Sequence, residues 1–117
     1  MPQIYLDHAS TTYVDPRVMA AMLPYFSEKY GNPSSLHQKG IEAKIAVDTA
    51  RETIAKILNC KSREIIFCGS ATEANNLAIF GAARAAEHKG KHLITSKVEH
   101  SSVRVPFEIL EKEGFKV

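Results

Sequence analysis

Apolar residues recur along this chain in two rhythms. Ile41, Ile45, Ala50, Ile54, Ile57 and Leu58 return every three to five residues, which predicts one long amphipathic helix ending near Asn59. Elsewhere the apolar residues form short, β-branched runs bounded by turn residues. Ile65-Ile66-Phe67 lies in an expected buried strand at 64–67, His92-Leu-Ile-Thr95 in a second, and Phe115-Lys-Val117 opens a third. Between these runs the helix signals are local. Asp15-Pro16 pairs a capping side chain with proline in the first turn and predicts a helix running to about Tyr30. Gly31-Asn-Pro-Ser-Ser35 is a dense turn. A helix is expected from about Thr72 to His88 with a stop at Gly90, and another opening at Ser101 or Ser102 and closed by Gly114.

Strand and helix alternate after residue 60, which predicts an α/β fold of parallel-sheet βαβ units preceded by an N-terminal arm and helices. A parallel sheet needs helices on both faces and a neighbour at each edge, and three short strands cannot supply them. The expectation is therefore a single incomplete unit, residues 1–117, forming the N-terminal segment of a larger α/β protein or one half of a split one.

Composition narrows the function. Lys and Arg number 15 against 13 Asp and Glu, a formal charge of +2, and they are scattered rather than clustered, which argues against direct nucleic-acid binding. No apolar run is long enough to cross a bilayer, and the N-terminus lacks the basic start and hydrophobic stretch of a signal peptide, so a cytoplasmic location without membrane attachment is expected. Cys60 and Cys68 lack both C-x-x-C spacing and a histidine at metal-finger distance, so no metal site is expected.

The candidate chemistry lies in Glu64-Ile-Ile-Phe-Cys-Gly-Ser-Ala-Thr-Glu73. A strand breaks at Gly69 and restarts as a helix, Ser70 and Glu73 have capping-box spacing, and the first-turn amides point beyond the strand end. This is an anion cradle that needs no cationic side chain, although the same pattern also serves an ordinary helix cap. It has neither the Gly-Lys-Ser/Thr of a P-loop nor G-x-G-x-x-G, so a phosphorylated cofactor smaller than a nucleotide is the better candidate.

Six motifs in order carry a resemblance to a known family. They are Tyr5-Leu-Asp-His-Ala-Ser-Thr-Thr12, Asp15-Pro-Arg17, Gly31-Asn-Pro-Ser-Ser-Leu-His37, Ala46-Val-Asp-Thr-Ala-Arg51, Ser70-Ala-Thr-Glu-Ala-Asn-Asn-Leu77 and Thr95-Ser-Lys-Val-Glu-His100. Together the chain resembles the opening third of a cysteine desulfurase, a pyridoxal-phosphate enzyme of the class V aminotransferase group. The resemblance implies the opening part of the fold type I PLP-dependent transferase large domain, and usually a homodimer. It implies an activity that takes sulfur from L-cysteine as an enzyme persulfide, forms L-alanine, and passes sulfur to acceptor proteins of iron–sulfur scaffold or tRNA-thiolation type. A selenocysteine lyase or another class V aminotransferase fits the same motifs, as does a non-catalytic split or degenerate module.

Residue by residue, the resemblance assigns Ala71 and Thr72 to the cofactor phosphate. It assigns His100 to a catalytic role, stacking on the pyridine ring and moving protons. Ala9, Ser10 and Thr11, with Asp7 and His8 beside them, match the arm next to the substrate, and His37 matches the histidine that closes the Gly-Asn-Pro-Ser-Ser loop. The turn departs from the family's common Ser-Gly-Ala-Thr, reading Gly69-Ser70-Ala71-Thr72. The family's cofactor lysine, in a Ser-x-His-Lys context, and its persulfide cysteine match nothing in these residues. Lys97, Cys60 and Cys68 have the wrong neighbours, so this stretch alone is expected to be inactive.

Overall fold

The computed structural model describes residues 4–117, and the chain divides into two compact units, the first running to Ile65 and the second spanning Ile66–Val117.

In the first unit, the expected helix from Asp15 to about Tyr30 is two helices, α1 (Pro16–Met22) and α2 (Pro24–Ser27). Asp15 caps α1 as the sequence predicts, accepting from the Arg17 amide at 2.8 Å. The break falls at Pro24, which has no N–H to donate and whose ring crowds the carbonyl four residues back. The turn that follows is built by Asn32, whose side chain accepts from the Ser34 amide at 2.9 Å and whose carbonyl accepts from Ser35 at 2.9 Å. It is pressed against the first turn of α3 (Gln38–Ile57), where a Cβ on Gly40 would lie 2.2 Å from the Ser35 carbonyl oxygen. Lys39 ties the same corner, donating to the Glu28 carbonyl at 2.8 Å with its ammonium 4.9 Å from the Tyr30 ring centre.

α3 ends in a Schellman motif. Asn59 takes a positive φ of 52°, and the Cys60 amide bonds back to the Ala55 carbonyl at 2.9 Å. The helix is where its periodicity predicts, but its large apolar residues are not buried. Ile45 is 60% exposed and Ile57 77%, while the small residues Gly40, Ala43 and Ala55 are buried. Its ion pairs join Asp48 to Lys44 and to Arg51.

The second unit holds two helices, α4 (Ala71–Ala85) and α5 (Ser101–Lys112), and a small core of Ala83, Leu110 and Phe115 with Ile79, Phe80 and Leu93 packed on it. α4 stops at Ala85, and a short 3₁₀ turn, Glu87–Lys89, carries the chain to Gly90. α5 closes at Gly114, whose φ of 93° suits only glycine without strain. The Phe115 amide then reaches the Leu110 carbonyl at 3.0 Å, and both of those side chains enter the core.

Two contacts far apart along the helices give their direction. Asn75, near the start of α4, bonds Ser102 near the start of α5, and Arg84, near the end of α4, pairs with Glu113 just past the end of α5 at 2.9 Å. The helices therefore run side by side and parallel. The backbone after each runs parallel too, in a bridge between His92 and Lys116 held by Leu93 N–H to Lys116 O at 2.8 Å and Lys116 N–H to Lys91 O at 2.7 Å. This is the βαβ arrangement predicted, reduced to its last crossover.

The expected strands fall short of a sheet. Among the described residues the His92–Lys116 bridge is the single β-pairing, residues 65–68 belong to no ladder although the Ile65 backbone is extended, and Glu64 belongs to a 3₁₀ turn, Ser62–Glu64. Ile66 and Phe67 are exposed rather than buried, and Cys68 is half-buried. An extended segment becomes a strand only when another backbone lies beside it to complete the hydrogen bonds, and these residues supply that neighbour once.

Candidate functional site

At the start of α4 the backbone amides are exposed in a defined pattern. Ser70 is the cap, its hydroxyl accepting from the Glu73 amide at 3.1 Å. The reciprocal half of the capping box is displaced by one residue, because the Glu73 carboxylate accepts from the Gly69 amide at 2.7 Å instead of from Ser70. A Cβ at Gly69 would sit 3.3 Å from that carboxylate oxygen, a tight contact that the Glu73 side chain could relieve only by shifting a few tenths of an ångström. The amides of Ala71 and Thr72, as first-turn donors, have no acceptor within the helix, and among the described residues the Thr72 hydroxyl has no hydrogen-bond partner. Two backbone donors, one free hydroxyl and the positive end of a 15-residue helix thus converge on one exposed corner.

His100 caps the neighbouring helix. Its Nδ1 accepts from the Ser102 amide at 3.1 Å and lies 2.9 Å from the Ser102 hydroxyl, which in turn is 2.9 Å from the Asn75 side-chain nitrogen. Asn75 is one helical turn beyond Ala71. The starts of the two parallel helices therefore lie at the same end of the pair, with His100 on one and Ala71 and Thr72 on the other. Asn75 and Ser102 were not singled out from the sequence pattern. Ser102 reads there only as a helix opening and Asn75 as one of two adjacent asparagines, and a contact spanning 27 residues has no local signature.

The arm candidates belong to the first unit. Ala9, Ser10 and Thr11 form an exposed turn in which the Asp7 carbonyl accepts from the Ser10 amide at 3.1 Å. The Tyr5 hydroxyl braces it by donating to the Asp7 carbonyl at 2.8 Å, and the His8 ring stands edge-on to Tyr5 with centres 5.2 Å apart. His37 is the cap of α3, its Nδ1 3.4 Å from the Gly40 amide, which gives it a role in local structure.

Comparison with known proteins places the segment. The family described as aminotransferase class-V matches residues 4–117. The cysteine desulfurase IscS of Dictyoglomus turgidum is 52% identical over 115 residues, covering 98% of this chain and 29% of the relative. Among solved structures, a NifS-like protein superposes with a TM-score of 0.84 at 41% identity over 92% of this chain and 30% of its own. A structure of SspA in complex with cysteine gives 0.85 at 41% identity over 97% and 33%. The chain thus spans about 30% of the length of the relatives it matches. Their shared architecture is that of the fold type I pyridoxal-phosphate enzymes, and the single βαβ crossover and the paired helix starts described above are this chain's portion of it. On the match of a family model to nearly all of its residues, and on a relative identical at about half of the aligned positions, this chain belongs to the class V aminotransferase family.

Proposed function

We propose that this chain is the cofactor-phosphate and ring-binding segment of a pyridoxal-phosphate-dependent cysteine desulfurase. The observation that carries the reading is the common end of the α4–α5 pair, which holds both the free first-turn amides and a histidine. The donor set suits the cofactor. Its phosphate is a dianion, and the corner offers the Ala71 and Thr72 amides and the Thr72 hydroxyl, while the adjoining Gly69 amide already takes a carboxylate oxygen from Glu73 at 2.7 Å. When bound, pyridoxal phosphate supplies the electron sink through which bonds of the amino acid substrate are broken.

The residues of this chain do the holding and the proton handling. The Ala71 and Thr72 backbone and the Thr72 hydroxyl would hold the phosphate, and the imidazole of His100 would offer its flat face to the ring. The proton of His100 at Nε2 is the one given up and regained as cysteine binds and product leaves. Ala9, Ser10 and Thr11 contribute small side chains beside the substrate. L-Cysteine is the substrate and L-alanine the product. The sulfur leaves as a persulfide on a cysteine that none of these residues supplies, bound for acceptor proteins of iron–sulfur scaffold or tRNA-thiolation type. A homodimer in the cytoplasm completes the reading. Among the described residues no helix is long and apolar enough to cross a membrane.

The test is alanine formation from L-cysteine by the polypeptide as encoded, with cofactor added. His100→Gln should lower kcat by about 10²- to 10⁴-fold, the contribution of a positioned proton carrier, and Thr72→Val should raise the cofactor concentration needed for half activity. Alanine from L-selenocysteine but not L-cysteine would move the assignment to a lyase of that substrate, and turnover of neither would leave a binding module. The 117-residue chain alone should bind the cofactor weakly and show no covalent cofactor absorbance band.

A further inference from the structure

The backbone geometry at the start of α5 dictates the direction of a hydrogen-bond chain through three side chains. The Ser102 amide is a donor that cannot become an acceptor, and it points at His100 Nδ1 from 3.1 Å. Nδ1 must therefore offer its lone pair, and the neutral ring carries its proton on Nε2. The Ser102 hydroxyl, 2.9 Å from the same Nδ1, can then engage it only by donating. With its hydrogen committed, the Ser102 oxygen can only accept from Asn75, and the 2.9 Å contact is made by the amide nitrogen of that side chain. Each link forces the next, from asparagine N–H to serine O–H to imidazole Nδ1. Ser102 is 8% exposed, so water has little room to replace either partner.

We propose that Asn75 and Ser102 are positioning residues that lock His100 as the Nε2–H tautomer and fix the plane of its ring. This deepens, and rests on, the reading of His100 as the proton carrier at the cofactor ring. A stacked ring that must pass a proton at Nε2 gains from having Nδ1 tied back into the protein, because a half-turn about the Cβ–Cγ bond would put Cδ2 in the place of Nδ1 and Cε1 in the place of Nε2. The chain of bonds also couples the start of α5 to the start of α4, so the histidine is registered against the helix whose first turn offers its amides to the phosphate.

The experiment uses the polypeptide as encoded, labelled with ¹⁵N in its histidines, and reads the His100 ring nitrogens by long-range ¹H–¹⁵N correlation at a pH where the ring is neutral. Ser102→Ala removes the hydroxyl donor. Asn75→Asp keeps the shape but replaces a donor with an acceptor, so the Ser102 hydroxyl turns away from the ring. The Ser102 amide still donates to Nδ1 in both variants, so Nε2–H should remain the major form, but loss of the second donor should add a measurable Nδ1–H share in exchange with it, while Ser102→Thr, which keeps the hydroxyl, should restore the single pattern. Turnover of L-cysteine should fall about 10- to 100-fold in kcat in the first two variants, part of what a proton carrier contributes, with the cofactor concentration for half saturation unchanged.

An unaltered tautomer pattern in both Ser102→Ala and Asn75→Asp would overturn the proposal, even if His100→Gln abolished activity. A pattern that changes as expected while activity and the His100→Gln variant stay at the wild-type rate would leave the lock standing and remove the catalytic reading of His100 instead.

Discussion

Gly40 and Gly81 both sit inside helices, and the structure predicts opposite outcomes for replacing them with alanine. Propensity alone favours alanine at either site by about 0.8–1 kcal/mol. At Gly81 a Cβ meets nothing within 4 Å, so the full gain should appear. At Gly40 the new Cβ would lie 2.2 Å from the Ser35 carbonyl oxygen, 2.7 Å from the Ser35 Cβ and 2.8 Å from the Asn32 carbonyl oxygen. Two of those atoms are backbone in a turn already closed by the Ser35 amide bond to Asn32 at 2.9 Å, so no side chain can swing aside. Backbone must move to admit the methyl group, and overpacking of this kind costs about 1–3 kcal/mol or more, enough to outweigh the propensity gain. The two variants should thus differ by the overpacking cost itself, about 1–3 kcal/mol, with Gly81→Ala the more stable. Amide hydrogen exchange reads each site separately. Protection at Ile41, whose amide bonds the His37 carbonyl at 3.1 Å, should fall in Gly40→Ala, and protection through α4 should hold or rise in Gly81→Ala. A stabilising or neutral Gly40→Ala would refute the close approach of the Gly-Asn-Pro-Ser-Ser turn to α3.

Two further outcomes follow from the packing and the electrostatics. Leu110 is fully buried in the core of the second unit, so Leu110→Ala should cost about 3–5 kcal/mol in denaturant unfolding and Leu110→Met less than about 1.5, and equal costs would show that the core is not close-packed there. The Asp15 carboxyl is held below its ordinary value, first by the Arg17 guanidinium and then by the Arg17 amide. Because that pKa is depressed in the folded state, its support for α1 is present above the ordinary carboxylate range and is lost as pH falls below about 4 and through the depressed value. The Arg17 amide proton should report this titration by NMR and lose it in Asp15→Asn, and a midpoint at the ordinary aspartate value would contradict the pairing.

The amino-acid sequence by itself determined where most of the helices begin and end, because capping is local chemistry. Asp15 with Pro16, Ser70 with the Glu73 amide, and Gly114 at its positive φ each act within a few residues of themselves. Its motifs likewise carried the family and pointed to Ala71, Thr72 and His100, since those features occupy contiguous stretches. Tertiary structure alone decided which apolar faces are covered and which extended runs are strands. Ile45 and Ile57 stay exposed on a well-formed helix, and residues 65–68 lie outside any ladder, because burial and pairing are properties of two segments and are legible only when both are present. For the same reason the tie from Asn75 through Ser102 to His100 was invisible in the sequence. It joins residues 27 positions apart whose meeting depends on two helices running parallel, and only the packing of α4 against α5 brings them within a hydrogen bond.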